Sequence, residues 1–185
     1  MKIIKKISPV LIILIQFFLI SCTKDSSGNN NTKTIEDFLV RNNEITGWSY
    51  SGSGWIANNI TELTNYIDGA ADIYQRYTFI EASYQQYQGT INNTQALIKL
   101  YIYNQTQKAS ASALYADPDI GMIGAIKWQN GAGDEAQYVR NGGLSQALSF
   151  YRDKYFVFLE IDADSDESLI VLQQFALNVD GKIRK

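Results

Sequence analysis

Asp68, Asp72 and Arg76 recur at four-residue spacing inside a segment of helical periodicity. On one helix they form a column on a single face. Two carboxylates and a guanidinium so placed would hold a cation or the hydroxyls of a sugar. The plainer account is a solvated face with one Asp72–Arg76 pair, worth roughly 0.3–0.5 kcal/mol. A second acidic run, Asp162-Ala163-Asp164-Ser165-Asp166-Glu167, has the spacing of the opening of a calcium loop. Glu167 stands where such a loop turns on glycine, and Gln173 stands where a bidentate Glu would close it. Those departures favour a strand end, an N-cap and an acidic first turn. Asp162, Asp164 and Asp166 stay as the alternative metal ligands. The third candidate is aromatic. The chain has 12 Tyr and 3 Trp, and Tyr66, Tyr74, Tyr77, Tyr84, Tyr87, Tyr101 and Tyr103 gather around one predicted helix and two strands. Trp48, Trp55, Tyr66, Tyr84, Tyr101 and Tyr103 are the candidate ligand contacts among the aromatics. Rings of this kind bind sugars and partner proteins, or else line a core.

What the chain lacks excludes more than these groups suggest. It contains no histidine and one cysteine, Cys22. Without histidine, neither a Ser-His-Asp nor a Cys-His nucleophile arrangement is possible. The common His- and Cys-based zinc and copper sites fall away too. No catalytic residues, cofactor or metal are therefore expected. One enzymatic reading survives as an alternative, a small carboxylate-dependent glycan hydrolase. It needs two carboxyl groups roughly 5–10 Å apart across a cleft, and Asp68 or Asp72 against Asp134 or Glu135 is the pair on offer. A carrier of a small apolar ligand, held between sheet and helices, is a third reading.

The N-terminus bears on location. Lys2, Lys5 and Lys6 precede an apolar run from Ile7 to Ile20 that Pro9 and Gln16 interrupt, and Leu19-Ile20-Ser21-Cys22 follows. This order resembles bacterial lipoprotein signal peptides. The resemblance implies that residues 1–21 are removed and that Cys22 carries lipid on its thiol and amino group. More than one acyl chain would then hold the protein to a membrane. Residues 22–33, rich in Ser, Gly and Asn, read as a flexible tether. Thr23 is not the Asp that retains some lipoproteins at the inner membrane, so the expected location is the outer membrane of the cell envelope. Residues 1–21 hold three lysines and no acid, which leaves 13 basic against 19 acidic residues and a formal charge of −6. An acidic chain without a basic cluster argues against nucleic acid as a partner.

Residues 34–185 have the length of one domain. Thr34-Ile35-Glu36-Asp37 resembles a capping box and predicts a brief helix from Ile35 to Asn42. Trp48 and Trp55 flank Ser51-Gly52-Ser53-Gly54, which suggests two short strands around a glycine turn. The spacing predicts a helix over Ile60–Tyr77, with Ile60, Leu63, Ile67, Ala70, Ala71, Tyr74 and Tyr77 in one arc. Gly69 inside it suggests a close neighbour, since glycine costs a helix about 1 kcal/mol relative to alanine. Strands are predicted over Thr78–Tyr87 and Ala96–Tyr103, joined near Asn92-Asn93. A helix over Thr106–Ala116 stops at Asp117-Pro118. A meander follows over Met122–Gln129, Glu135–Arg140, Leu144–Phe150 and Tyr155–Ile161. A last helix begins near Asp166 and ends at Asp180-Gly181. The whole reads as α+β, a mainly antiparallel sheet with helices packed on one face, and a PsbP-like or similar helix–sheet–helix sandwich would fit.

Residues 59–77 contain Tyr66-Ile67-Asp68-Gly69-Ala70-Ala71-Asp72-Ile73-Tyr74. This run resembles the helix motif Tyr-Ile-Asn/Asp-Gly-Gly/Ala-Ala-Glu/Asp-Leu/Ile-Tyr of a bacterial envelope-associated family of unknown function. Ala70 stands where that motif often has a second glycine. The resemblance implies an exported domain and supplies no catalytic residue. The expectation is a membrane-anchored lipoprotein whose domain binds an envelope glycan or protein without catalysis.

Overall fold

Asn92 and Asn93 both take positive φ, +50° and +62°, and close a two-residue hairpin between Ile91 and Thr94. Positive φ at both central residues matches the right-handed twist of the strands they join. This hairpin is the longest paired element in a computed structural model that describes residues 33–185. Cys22, the signal segment 1–21 and all of the tether except Lys33 lie outside the described residues. The strands are β1 (Ser49–Tyr50), β2 (Trp55–Ala57), β3 (Phe79–Ile91), β4 (Thr94–Gln105), β5 (Ile126–Lys127), β6 (Glu135–Arg140), β7 (Gln146–Arg152) and β8 (Tyr155–Ile161). The helices are α1 (Ile60–Ile67), α2 (Ala71–Arg76), α3 (Lys108–Tyr115) and α4 (Asp166–Ile183). All pairings are antiparallel, in the order β1-β3-β4-β8-β7-β6-β5, with β2 also on β3. The expected antiparallel α+β class is found. No helix among the described residues is long and apolar enough to cross a membrane.

Helices cover both faces of the sheet rather than one. On β4 the predicted alternation holds: Ile98, Leu100 and Ile102 point to one side, Tyr101 and Tyr103 to the other. The first side packs under α4 through Leu172, Phe175, Ala176 and Val179, with Ile35 and Phe38 of a short 3₁₀ turn beside them. The second side receives Leu63 of α1, Ala71 and Tyr74 of α2, and Ala111 and Leu114 of α3. Strands that are apolar on both faces need a cover on each.

The helix predicted over Ile60–Tyr77 is broken at Asp68, whose backbone lies at φ +50°, ψ −138°. Asp68–Ala70 form a 3₁₀ turn, and the chain restarts as α2. The break lets Ala71 and Tyr74 reach the sheet, where Tyr74 stacks on Tyr103 at 3.9 Å. A Cβ at Gly69 would meet nothing within 4 Å, so no neighbour requires that glycine. Further on, the strand predicted over Met122–Gln129 shrinks to the two residues of β5. The last helix runs through Asp180-Gly181 to Ile183 because Asp180 faces inward. It is 1% exposed, accepts from Arg152 at 2.7 Å and pairs with Arg184. Arg152 also reaches Asp134 at 2.9 Å, so β7, α4 and the start of β6 are tied together. Burial opposes the charge on Asp180, but the hydrogen bonds from Arg152 and Arg184 outweigh it and hold the carboxyl below its ordinary range.

Both sheet edges are short. Ser51–Gly54 interrupt the edge formed by β1 and β2, where a Cβ on Gly54 would lie 2.6 Å from the Tyr84 carbonyl oxygen. β5 ends the other side.

Two outcomes follow. Gly69→Ala should leave the fold intact and raise stability by about 0.5 kcal/mol through the unfolded chain, read as a higher urea midpoint. Asp180→Ala should cost about 3 kcal/mol by removing the buried one of the two carboxylates that Arg152 holds and leaving Asp134 as its remaining ion-pair partner. A carboxyl with a depressed folded pKa stabilises above its unfolded value near 3.9, and that contribution fades as pH falls through the folded pKa. In acid titrations followed by circular dichroism, the gap between wild type and Asp180→Ala should therefore narrow below about pH 4.

Candidate binding surface

The start of α1 is fixed by its cap. The Asn59 side chain accepts from the Glu62 amide at 2.9 Å, and the Glu62 carboxylate reaches back to the Asn58 amide at 2.7 Å. Leu63, fully buried, sets which side of α1 faces the sheet. Tyr66, one turn later, swings over β2 and stacks on Trp55, ring centroids 4.5 Å apart and planes 3° from parallel. Strand register extends the aromatic surface. Trp55 pairs with Tyr84, Tyr84 with Tyr101, and Tyr101 with Phe158. Directly opposed residues share a face, so these four rings form a lateral row across β2, β3, β4 and β8, about 14 Å long at the usual strand spacing. Trp55 and Tyr84 stack at 5.3 Å, and Tyr84 and Tyr101 lie 4.7 Å apart.

The row sits where the cover of helices ends. One step toward the helices, Ala57, Ala82, Tyr103 and Phe156 are buried. One step away, Gln86, Lys99 and Glu160 are partly exposed, with Lys99 and Glu160 paired at 3.3 Å. The four rings between are half-buried, and Tyr66 is 50% exposed. Burial raises the pKa of the Tyr84 hydroxyl, and the Glu160 charge adds to the effect. Tyr101 is pushed higher still by burial, then by Tyr84 and Glu160. Both remain neutral phenols at physiological pH, able to donate and accept. The Tyr84 hydroxyl already donates to Gln86 Oε1 at 3.2 Å.

Of the predicted aromatic candidates, Trp55, Tyr66, Tyr84 and Tyr101 meet at this surface. Trp48 and Tyr103 do not belong with them. Trp48 is 4% exposed on the opposite side of the sheet, edge-on to Phe175 at 5.7 Å, in space that Gly89 leaves for it. Tyr103 is 2% exposed between Tyr74 and Phe156. Both are core residues, because alternation sends them under helices.

The charged candidates disperse. The turn at Asp68 destroys the column of Asp68, Asp72 and Arg76. Arg76 pairs with Asp119 at 2.8 Å and Asp117 at 3.3 Å instead of with Asp72. Asp68 and Asp72 are exposed, with no salt bridge among the described residues. Asp134 and Glu135 border a cleft of about 390 Å³ lined by residues 127–136, which neither Asp68 nor Asp72 reaches. Asp134 is held by Lys108 at 3.0 Å and by Arg152. Burial works against its charge, but the hydrogen bond from Lys108 and the other contacts prevail and lower its pKa. A general acid for glycosidic cleavage needs the opposite shift.

The acidic run before α4 is structural. Asp162 accepts from the Leu97 amide at 2.6 Å. Asp164 accepts from the Gly143 amide and Gln146 Nε2, both at 2.8 Å. Asp166 binds Arg140, and Ser165 is the cap, accepting from the Ser168 amide. No group of three metal-ligating side chains occurs among the described residues.

Sequence reasoning missed Phe158, Gln86, Lys99 and Glu160. Alternation on β4 places Lys99 beside Tyr101, but the strands that would extend the row could only be chosen once register was known. No protein-family model, characterised protein or solved structure matches the chain.

Truncation separates the surface rings from the core rings. Tyr66→Ala should cost about 1 kcal/mol, the worth of one exposed stack, and Tyr103→Ala about 3–5 kcal/mol. Chemical denaturation of the two variants measures the difference.

Proposed function

We propose that this chain is a lipid-anchored module of the bacterial cell envelope that binds a ligand without transforming it. The observation that carries this reading is the half-buried row of Trp55, Tyr84, Tyr101 and Phe158 with the half-exposed Tyr66 stacked at its end. These rings lie at the margin of the helices, and the carboxylate of the bordering row, Glu160, is paired with Lys99. Aromatic side chains supply much of the contact energy in recognition surfaces, and neutral phenols add hydrogen bonds without a charge to desolvate. The anchor rests on the sequence at Leu19–Cys22, and the outer membrane is the proposed location. The glycan-hydrolase alternative loses support from the separation of its carboxylates. The carrier alternative loses support from sheet–helix interfaces packed with fully buried side chains.

The anchor and the surface are tested separately. Cys22→Ala should shift the protein from the membrane pellet to the soluble fraction and abolish labelling by an alkyne fatty acid; unchanged fractionation would refute the anchor. For the surface, isolated envelope fragments are added to full-length protein in detergent, and sedimentation of the protein with them is measured. Trp55→Ala/Tyr66→Ala should lose at least most of that co-sedimentation while keeping its far-ultraviolet circular dichroism. Equal sedimentation of the double variant and wild type would sink the proposal.

A further inference from the structure

Resting on that reading, we infer that the ligand of this surface is an uncharged polysaccharide chain. The surface pairs flat apolar rings with neutral hydrogen-bonding groups, and both lie in one strip. Sugar rings present the matching pattern, with apolar C–H faces and hydroxyls around their rims. Tyr66 is the ring best placed to meet such a face. One side of it lies on Trp55, and the residue is nonetheless 50% exposed. Along the same strip, Tyr84 donates to Gln86 Oε1 and Gln86 Nε2 donates to Ser51 Oγ, which leaves the Tyr84 hydroxyl as an acceptor and a second amide N–H on Gln86 as a donor. Lys99 and Glu160 neutralise each other at 3.3 Å, so the bordering row carries no net charge.

Other macromolecules fit less well. A nucleic acid or acidic polymer needs a cationic track, and the single lysine of this strip is already paired. An extended peptide binds most simply by adding a strand to a sheet edge. Here one edge is broken at Ser51–Gly54 and the other is the two-residue β5. Peptide anchors also need deep pockets. The cleft that touches the row, about 280 Å³, lies at the sheet edge among Glu36, Leu39, Gly54, Trp55, Tyr84 and Gln85 rather than along the strip.

Affinity electrophoresis of the full-length protein in neutral detergent tests the inference. Gels contain a neutral glucan, mannan or xylan, an acidic polyuronate, or no polymer. A fluorescent random-peptide pool is titrated in parallel. At least one neutral polysaccharide should retard the wild-type protein equally at about 0.1 M and about 1 M salt, where screening lengths differ roughly threefold. Tyr66→Ala should weaken retardation about ten-fold, the scale of one aromatic contact. Tyr66→Phe should preserve it, and Ile170→Ala, on the exposed side of α4, should not change it. Retardation by the polyuronate alone, by none of the polymers, or equally in Tyr66→Ala and wild type would overturn the inference. Tyr66-dependent binding of peptide without polysaccharide would overturn it while leaving the binding-module reading in place. Loss of Tyr66-dependent binding to every probe and to envelope fragments would remove both.

Discussion

Burial of β4 on both sides governs the architecture. Its Ile98, Leu100 and Ile102 are fully buried on one face, and Tyr103 is buried on the other. A strand between β3 and β8 can satisfy its backbone laterally, but each face needs its own apolar cover. α4 supplies one cover. α1, α2 and α3 supply the other, and they stop short of the end that carries Lys99. The aromatic strip proposed as a binding surface is a consequence of that incomplete cover. The same alternation that buries Tyr103 leaves Tyr101, two residues earlier, at the margin.

The closing helix depends on a polar contact as well as on packing. Asp180 is buried inside α4, and Arg152 on β7 meets it while also holding Asp134 at the start of β6. A buried carboxylate is costly unless paired, and Arg152 and Arg184 supply the pairing that offsets that cost where α4 meets the sheet. The pairing also explains why Asp180-Gly181 does not stop the helix. The aspartate that resembles a terminator is engaged from the sheet, and the helix continues until Ile183.

Local signals were legible wherever the chain's own neighbours decide the outcome. Asn92-Asn93, the β4 alternation, Glu135–Arg140, Tyr155–Ile161 and the start of α4 all lie within reach of short-range rules. Outcomes decided by distant contacts were not legible. Ile60–Tyr77 has one continuous helical period, yet the chain turns at Asp68 so that Tyr74 can reach Tyr103. Trp48 and Trp55 flank the same glycine-rich segment, yet β1 and β2 both pair with β3 in a register that sends the two indoles to opposite faces. The charged column failed with the helix that would have displayed it. The aromatic candidates survived in part, because alternation can sort residues within one strand but cannot say which strand lies next to it.

The short edges have a meaning for crowding. Proteins confined to a membrane plane, as the proposed anchor would confine this one, meet their neighbours far more often than the same number dispersed in bulk. A long free strand would then invite sheets of adjacent molecules to join. With β1 and β2 split by a glycine-containing crossing and β5 reduced to two residues, each molecule offers its neighbours almost no template. A dense layer of such domains could stay a layer of separate molecules, each with its aromatic strip free.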